Sequence, residues 1–456
     1  MIKKTIFLLF LTICSCALFF LCAIYFLEYI LIGKNIKISV SEYINNDLKY
    51  KVTSEFNGNS KNLLCSIDSK NWTTFDNCNF DLSIGEYKLY VKNNYFLTSK
   101  NFDVKKNIKG TFTSSLDKLD TYYLALGGKK ELEFSFEYNS DFDTSLIYKI
   151  ENDEIVEVKD NVLYGKKVGT TNITVMLKDG NSKSYKIMVT DLIVPMRLNR
   201  DKDILPCGRY TKEENELLDK ILESRVIEAG IGTRGGTIAA IRFITLEFPY
   251  SIKYYYENGR LVDHGYRVHL DGEGRYYHKG LYLNEYKFSE LEKGASSKDG
   301  PKTWGCGLYN FSTHRNDLNG FDCSGFVTWA FLNGGYDVGD VGAGEHKEYN
   351  DELSDLGVRN KITKDYIENG KYKVGDFIAR NGHAALIIGI DKNNIYTAEA
   401  LPPVLKIHTY DKKNKIFNNP NVKYIIELDN VYPNGDGIYT DLWNEVNSWN
   451  KKELLL

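Results

Sequence analysis

The chain has 456 residues, with 58 Lys and Arg against 61 Asp and Glu and a net charge of −3. Charges of both signs are mixed along it without a basic excess or stripe, which excludes a protein that tracks nucleic-acid phosphates. Apolar residues at 43% and charged residues at 26% are the proportions of globular domains, and the length is enough for about three of them.

Residues 5–27 form a run of 23 residues without a charge, long enough to cross a hydrocarbon core of roughly 30 Å. Lys3 and Lys4 precede it and Glu28 follows, so the positive-inside bias puts the short N-terminus in the cytoplasm and the bulk outside. The expectation for residues 1–32 is a cytoplasmic tip and a single transmembrane anchor, with the protein at the cell membrane and most of it extracellular. A cleaved signal peptide is the alternative; the run is longer than a signal core and no A-x-A site follows it. Of the 8 Cys, Cys14, Cys16 and Cys22 lie in this run. Cys65 and Cys78 are candidates for a bridge in an oxidising exterior, although spacing alone assigns no pairing. The chain has no C-x-x-C pair, H-E-x-x-H or EF-hand loop, so neither a metal nor a cofactor is expected.

Residues 33–110 show short alternating runs, among them Leu48-Lys-Tyr-Lys-Val and Glu86-Tyr-Lys-Leu-Tyr-Val, separated by Asn, Gly and Ser. This period of two is a strand signal. It recurs in residues 111–192, where Leu132, Phe134, Phe136 and Tyr138 alternate with polar residues, as do Ile173, Val175 and Leu177. Two antiparallel sandwiches are expected. The stretch Asp153-Glu-Ile-Val-Glu-Val158, followed by Gly165-Lys-Lys-Val-Gly-Thr-Thr-Asn-Ile-Thr-Val175, resembles the bacterial immunoglobulin-like group 2 repeat. The first module shares with immunoglobulin-like folds only its strand rhythm. Such modules bind wall or host surfaces, or serve as spacers.

Residues 193–295 read as a linker and a helical, Tyr-rich prelude. Thr211-Lys-Glu-Glu214 forms a capping box, Leu217, Leu218, Ile221, Leu222 and Val226 share one face, and Gly230 closes the helix. A second helix is expected from about Arg234 to Glu247, before Pro249. Residues 250–286 hold nine Tyr with His264, His269 and His278, a mixture suited to packing or to stacking on sugar or peptide.

Chemistry concentrates in residues 296–456. Asp322-Cys-Ser-Gly-Phe-Val327 opens a helical pattern that Gly334-Gly335 ends, which puts Cys323 at a helix N-terminus. Unpaired N–H groups and the positive dipole end there favour a thiolate, so its pKa is expected below the free value of about 8.5. Gly375-Asp376 and then Gly382-His383, followed by an apolar run, supply a turn and a strand opening with His. Cys first and His later is the order of papain-like nucleophilic catalysis. On the returning strand, Glu399 is placed to orient the imidazole by accepting the Nδ1 proton. His383 and Glu399 lie 16 residues apart across a hairpin joined around 391–394. A simple four-residue loop sets Glu399 opposite Leu386 and turns its carboxylate away, unless a bulge restores the register.

Trp304-Gly305, Asp322-Cys-Ser-Gly-Phe326, Gly375-Asp376 and His383 with its apolar strand together resemble the NlpC/P60 family of bacterial cysteine peptidases, over about residues 296 to 430. The resemblance implies a multidomain chain ending in an α+β papain-like domain that hydrolyses peptidoglycan stem peptides, commonly between D-Glu and the diamino acid. It assigns Cys323 as nucleophile and His383 as general base, with Glu399 at a position the family often fills with His. Asp322 and Ser324 match positions that in some members hold the stem peptide's free amine, and Trp304 joins them as a substrate residue. Lys302 stands where the family often has Tyr, and the loop from Trp304 to Cys323, with Cys306, Tyr309 and His314, is longer than usual. Two other functions fit the same modules: a catalytically silent envelope-binding or adhesion protein, and a cysteine amidase or acyltransferase.

Overall fold

The structure is a computed structural model that describes residues 2–43, 49–58, 60–94, 97–105, 110–138, 143–196, 202–254, 279–284, 302–303, 307–310, 315–318, 320–338, 356–380, 382–413, 416 and 423–439. The chain falls into two compact units, one of Met1–Thr113, Phe134–Lys149 and Thr174–Lys183, the other of Ser114–Glu133, Ile150–Ile173 and Ser184–Leu456. The described part is mostly β sandwich and sheet with few helices. In the first unit, helix α1 (Ile2–Asn35) carries the uncharged run. Among the described residues no helix is long and apolar enough to cross a membrane; in α1 the described side chains are residues 9–23, 34 and 35.

After α1 come β1 (Ile36–Tyr43), β2 (Tyr50–Phe56), β3 (Leu64–Ser66), β4 (Thr73–Thr74), β5 (Asn79–Leu82), β6 (Gly85–Lys92) and β7 (Leu97–Val104). They form two sheets, β1-β2-β5 and β4-β3-β6-β7. The alternation seen in sequence turns Ile36 of one sheet and Leu89 and Val91 of the other into a shared core, as in a sandwich. Cys65 and Cys78 are bridged inside it, with Cα atoms 6.0 Å apart.

The second β module comprises β8 (Gly110–Thr113), β9 (Tyr122–Ala125), β10 (Lys129–Glu131), β11 (Ser135–Tyr138), β12 (Ile147–Ile150), β13 (Val156–Lys159), β14 (Val162–Gly165), β15 (Gly169–Met176) and β16 (Ser182–Thr190). A two-residue turn at Asp160 and Asn161, both at positive φ, joins β13 to β14, the geometry that Asp and Asn tolerate best after Gly. β9 pairs in parallel with β16.

The rest of the second unit holds α2 (Lys212–Ala229), α3 (Arg234–Arg242) with a π-turn at Phe243–Glu247, and the short strands β17 (Tyr282–Leu283), β18 (Lys302–Thr303), β19 (Gly307–Asn310) and β20 (Arg315–Leu318). Then follow α4 (Cys323–Gly334), β21 (Val358–Lys361), α5 (Lys364–Asn369), β22 (Phe377–Arg380), β23 (His383–Ile390), β24 (Asn394–Leu401), β25 (Val404–Asp411) and β26 (Tyr424–Glu427). The last six strands make one antiparallel sheet in the order β21-β26-β22-β23-β24-β25. Thr211 and Glu214 form the expected capping box of α2, and Gly230 closes the helix. The expected second helix keeps α-helical hydrogen bonding only to Arg242; its last turn widens so that Phe248 N–H reaches Phe243 O.

The helices read as a prelude belong to the same core as the sheet. Leu218 and Ile221 of α2, Ile241 of α3, Trp329 of α4 and Leu386 of β23 are buried in one cluster. An amphipathic helix finds most of its stability in such packing, so this body begins well before residue 296. In the same unit, Arg225 of α2 donates to Tyr123 O of β9 at 2.7 Å, and Lys130 Nζ of β10 lies 2.7 Å from Glu228 Oε1. The Tyr-rich stretch 255–278, with His264, His269 and His278, lies outside the described residues.

Candidate active site

Helix α4 starts where the sequence places it. Asp322 is extended (φ −89°, ψ 179°), and its carboxylate accepts the Gly325 N–H at 2.5 Å as an N-cap. Ser324 Oγ donates to the same oxygen at 3.4 Å. The edges of Phe321 and Trp329 meet with ring centres 5.4 Å apart, and Trp329 Nε1–H donates to Gly280 O at 2.9 Å. With this packing fixed, Cys323 occupies the first turn with 7% of its surface exposed, and its Sγ–H donates to Gly382 O at 3.9 Å. The nucleophile candidate thus lies against the backbone just before His383.

The thiol does not have the lowered pKa expected from its helix position. Burial first and the Asp322 carboxylate second push it up to about 12, while the N–H groups of Ser324, Ala384 and Cys323 itself pull the other way. Burial is the larger cause, and the cap is the second. A carboxylate on the neighbouring residue supplies the negative charge that the helix end would otherwise offer to a thiolate. Asp322→Asn keeps a good N-cap but removes that charge. The pH midpoint for alkylation of Cys323 should therefore move down in this variant; an unmoved or raised midpoint would show that Asp322 does not govern the thiol.

His383 opens β23 and Glu399 lies on β24, and the two side chains meet. His383 Nε2 is 3.0 Å from Glu399 Oε2, both groups being buried. The nitrogen facing the carboxylate is Nε2 instead of the expected Nδ1, which leaves Nδ1 as the position for a thiol proton. Glu399 Oε1 accepts from Thr397 Oγ1 at 2.6 Å and from Tyr410 OH at 2.9 Å. Burial acts to raise the Glu399 carboxyl, but the bonds from His383 and Thr397 outweigh it and bring its pKa to about 2. The residue is an anion at neutral pH.

The loop is the four-residue type, and a bulge corrects its register. Ile390 pairs with Ile395 and Gly389 with Tyr396, but Ile387 then pairs with Thr397 and Leu386 with Ala398. Ile388 is the extra residue. Glu399 is shifted from opposite Leu386 to opposite Ala385, on the face that carries His383.

The structure brings His383 and Glu399 together and sets Cys323 against residues 382–384; among the described residues no hydrogen bond joins the thiol to the imidazole. Such bonds are often loose before substrate binds. Asp322 and Ser324 flank Cys323 and are buried. Trp304, Cys306 and His314 lie outside the described residues. Asp376 of the Gly-Asp pair is fully buried and bonded to Arg234 at 2.7 Å, a scaffold position. Sequence reasoning missed Thr397 and Tyr410; Thr397 had a signal, since positions two apart on a strand share a face. No group of His, Cys, Asp and Glu among the described residues could hold a metal ion.

The family described as hyaluronate lyase, N-terminal beta-sheet domain, matches residues 142–187. No curated protein matches the chain. Among solved structures, the chain is similar to domains 4 and 5 of the S-layer protein SbsC (12% identity, 34% of this chain, 97% of that one, TM-score 0.19). It is similar also to a C-terminal fragment of intimin in complex with the intimin-binding domain of its translocated receptor (14%, 41%, 77%, 0.19). A third is the fibronectin(III)-like modules of Clostridium thermocellum CbhA (12%, 34%, 94%, 0.17).

Proposed function

We propose that the chain is a membrane-anchored cell-envelope cysteine endopeptidase of the NlpC/P60 type, hydrolysing peptidoglycan stem peptides at the bond between D-Glu and the diamino acid. The observation that carries this reading is a buried thiol on the first residue of α4, set against the start of β23, where His383 is held 3.0 Å from an ionised Glu399. A nucleophile on a helix N-terminus, with base and orienting carboxylate on consecutive antiparallel strands, is an arrangement that supports a papain-like fold.

In this reading the thiol is neutral at rest and ionises as it reacts. His383 Nδ1 takes the proton while Sγ attacks the scissile carbonyl carbon, forming the C–S bond. The C–N bond then breaks, and the amine leaves with the proton from the imidazolium. Water, giving a proton to the same imidazole, hydrolyses the thioester, releases the acid and restores the thiol. Glu399 stabilises the imidazolium in each half. Asp322 and Ser324 border the position of the stem peptide's amine. Helix α1, whose Phe10, Leu18, Phe19 and Phe20 are 66–77% exposed, is the anchor.

Full-length protein incubated with purified peptidoglycan should release muropeptides cut at that bond, identified by mass. Products carrying an added acceptor amine would replace hydrolysis by acyl transfer. Unchanged muropeptide masses would sink the enzyme reading.

A further inference from the structure

We infer that Arg242, on the last turn of α3, is a positioning residue for the His383–Glu399 pair, acting by holding the bulge at Ile388. The inference rests on His383 being the base proposed above. Two nitrogens of the Arg242 guanidinium donate to one carbonyl oxygen, that of Ile388, Nε at 3.3 Å and Nη2 at 3.0 Å. Ile388 is the residue that the register leaves without a Cα partner in β24. Ile387 accepts the Gly375 N–H and donates to Asp376 O, both on the β22 side. Alternation therefore turns the Ile388 carbonyl toward β24, where the bulge has taken its partner away. A buried carbonyl left without a donor is unfavourable, and so is a buried guanidinium without an acceptor. Arg242 is 4% exposed and Ile388 fully buried, and each answers the other.

The bulge also changes which way the strand faces. Before it, Ala384, Leu386 and Ile388 pack into the core under α4, whereas Ala385 and Ile387 pack on the opposite face with Ile395 and Tyr410. After it, Ile390 joins that opposite face although its number is even. Without the extra residue, one-for-one pairing from Gly389 and Tyr396 would carry Leu386 opposite Glu399. The carboxylate would then face the α4 core, away from His383. The bond to Ile388 O thus decides whether the imidazole has its partner, although Arg242 lies on a helix upstream of the whole catalytic sequence.

The test is a double-mutant cycle on the full-length protein with Arg242→Met and Glu399→Ala, followed by peptidoglycan hydrolysis and by the Nε2–H proton signal of His383 in 15N-histidine-labelled protein. Each single variant should lose that signal and lower kcat/KM, on the order of 100-fold for a displaced base. The double variant should be no slower than the worse single one, since both remove the same interaction. Persistence of the signal in Arg242→Met, or losses that multiply in the double variant, would overturn the inference. If Arg242→Met does not fold, Arg242→Gln carries the same two readouts, its neutral amide stopping short of the strand. The proton signal reports the His383–Glu399 bond whether or not the wild-type protein cuts peptidoglycan, so failure of the proposed activity is seen separately.

Discussion

Cys323→Ala should abolish the release of peptide fragments from peptidoglycan and leave the thermal unfolding of the protein close to that of the wild type. The substitution removes one sulfur atom from a site already 7% exposed, whose hydrogen bond to Gly382 O is long at 3.9 Å. The structural effect is therefore small, about 1 kcal/mol or less. In the proposed mechanism the chemical loss is nearly complete, because no other described side chain of the site offers a nucleophile in its place: Ser324 Oγ is committed to the cap carboxylate. Removal of the nucleophile leaves only the weak acceleration that binding and backbone donors supply. Fragment release by Cys323→Ala at the wild-type rate would end the assignment of Cys323, and a collapse of the unfolding temperature would show that the residue is structural.

Arg234→Met should be the most destabilising single change outside the catalytic centre. The guanidinium is fully buried, lies 4.9 Å from the centre of the Tyr432 ring, and bonds to Asp376 at 2.7 Å, Asp429 at 2.6 Å and Asp436 at 3.1 Å. Asp429 and Asp436 are about half exposed and contribute little. Asp376 is the group that suffers: its carboxylate keeps the Lys373 and Leu428 N–H groups but loses its only buried countercharge among the described residues and has no water to return to. Removing that countercharge should lower stability by about 3–5 kcal/mol, and Arg234→Met with Asp376→Leu should be milder than Arg234→Met alone. Burial already raises the Asp376 carboxyl against the pull of Arg234. Without Arg234 it rises further, so the folded variant holds a proton that its unfolded chain releases. The deficit against wild type should narrow as pH falls toward the carboxylate range. Denaturant unfolding at two pH values measures both effects, and a deficit that widens on acidification would contradict them.

The parts of the centre legible in sequence are those written in local chemistry. Asp322 before Cys-Ser-Gly announces a cap and Gly335 the end of a helix; Thr211 and Glu214 announce another. These are contacts between residues three apart. The hairpin was legible too, as two apolar runs around Asp391-Lys-Asn-Asn394. The bulge was not. His383 to Ile390 is buried on both faces, so the run contains no polar residue to mark where alternation slips, and only the needs of Glu399 hinted at an extra residue. Nor does sequence reveal that Arg242 reaches Ile388 across 146 positions. The sign of the thiol's shift was missed for a related reason: the sequence does not show how deeply Cys323 is buried, and Asp322 was weighed as a substrate contact while its charge beside the sulfur was not.

The place of β26 in the sheet governs when this domain can exist during synthesis. Among the described strands the one closest to the C-terminus is inserted between β21 and β22, so the edge of β22 that faces away from the histidine-bearing strand stays open until residue 427 has left the ribosome. Asp429 and Asp436 come later still, although Arg234 precedes them by 195 and 202 positions. A nascent chain therefore carries Cys323, His383 and Glu399 before it has the sheet that assembles them. Since a domain folds as a unit, a translation product ending before β26 is not a shortened domain but an unfolded one.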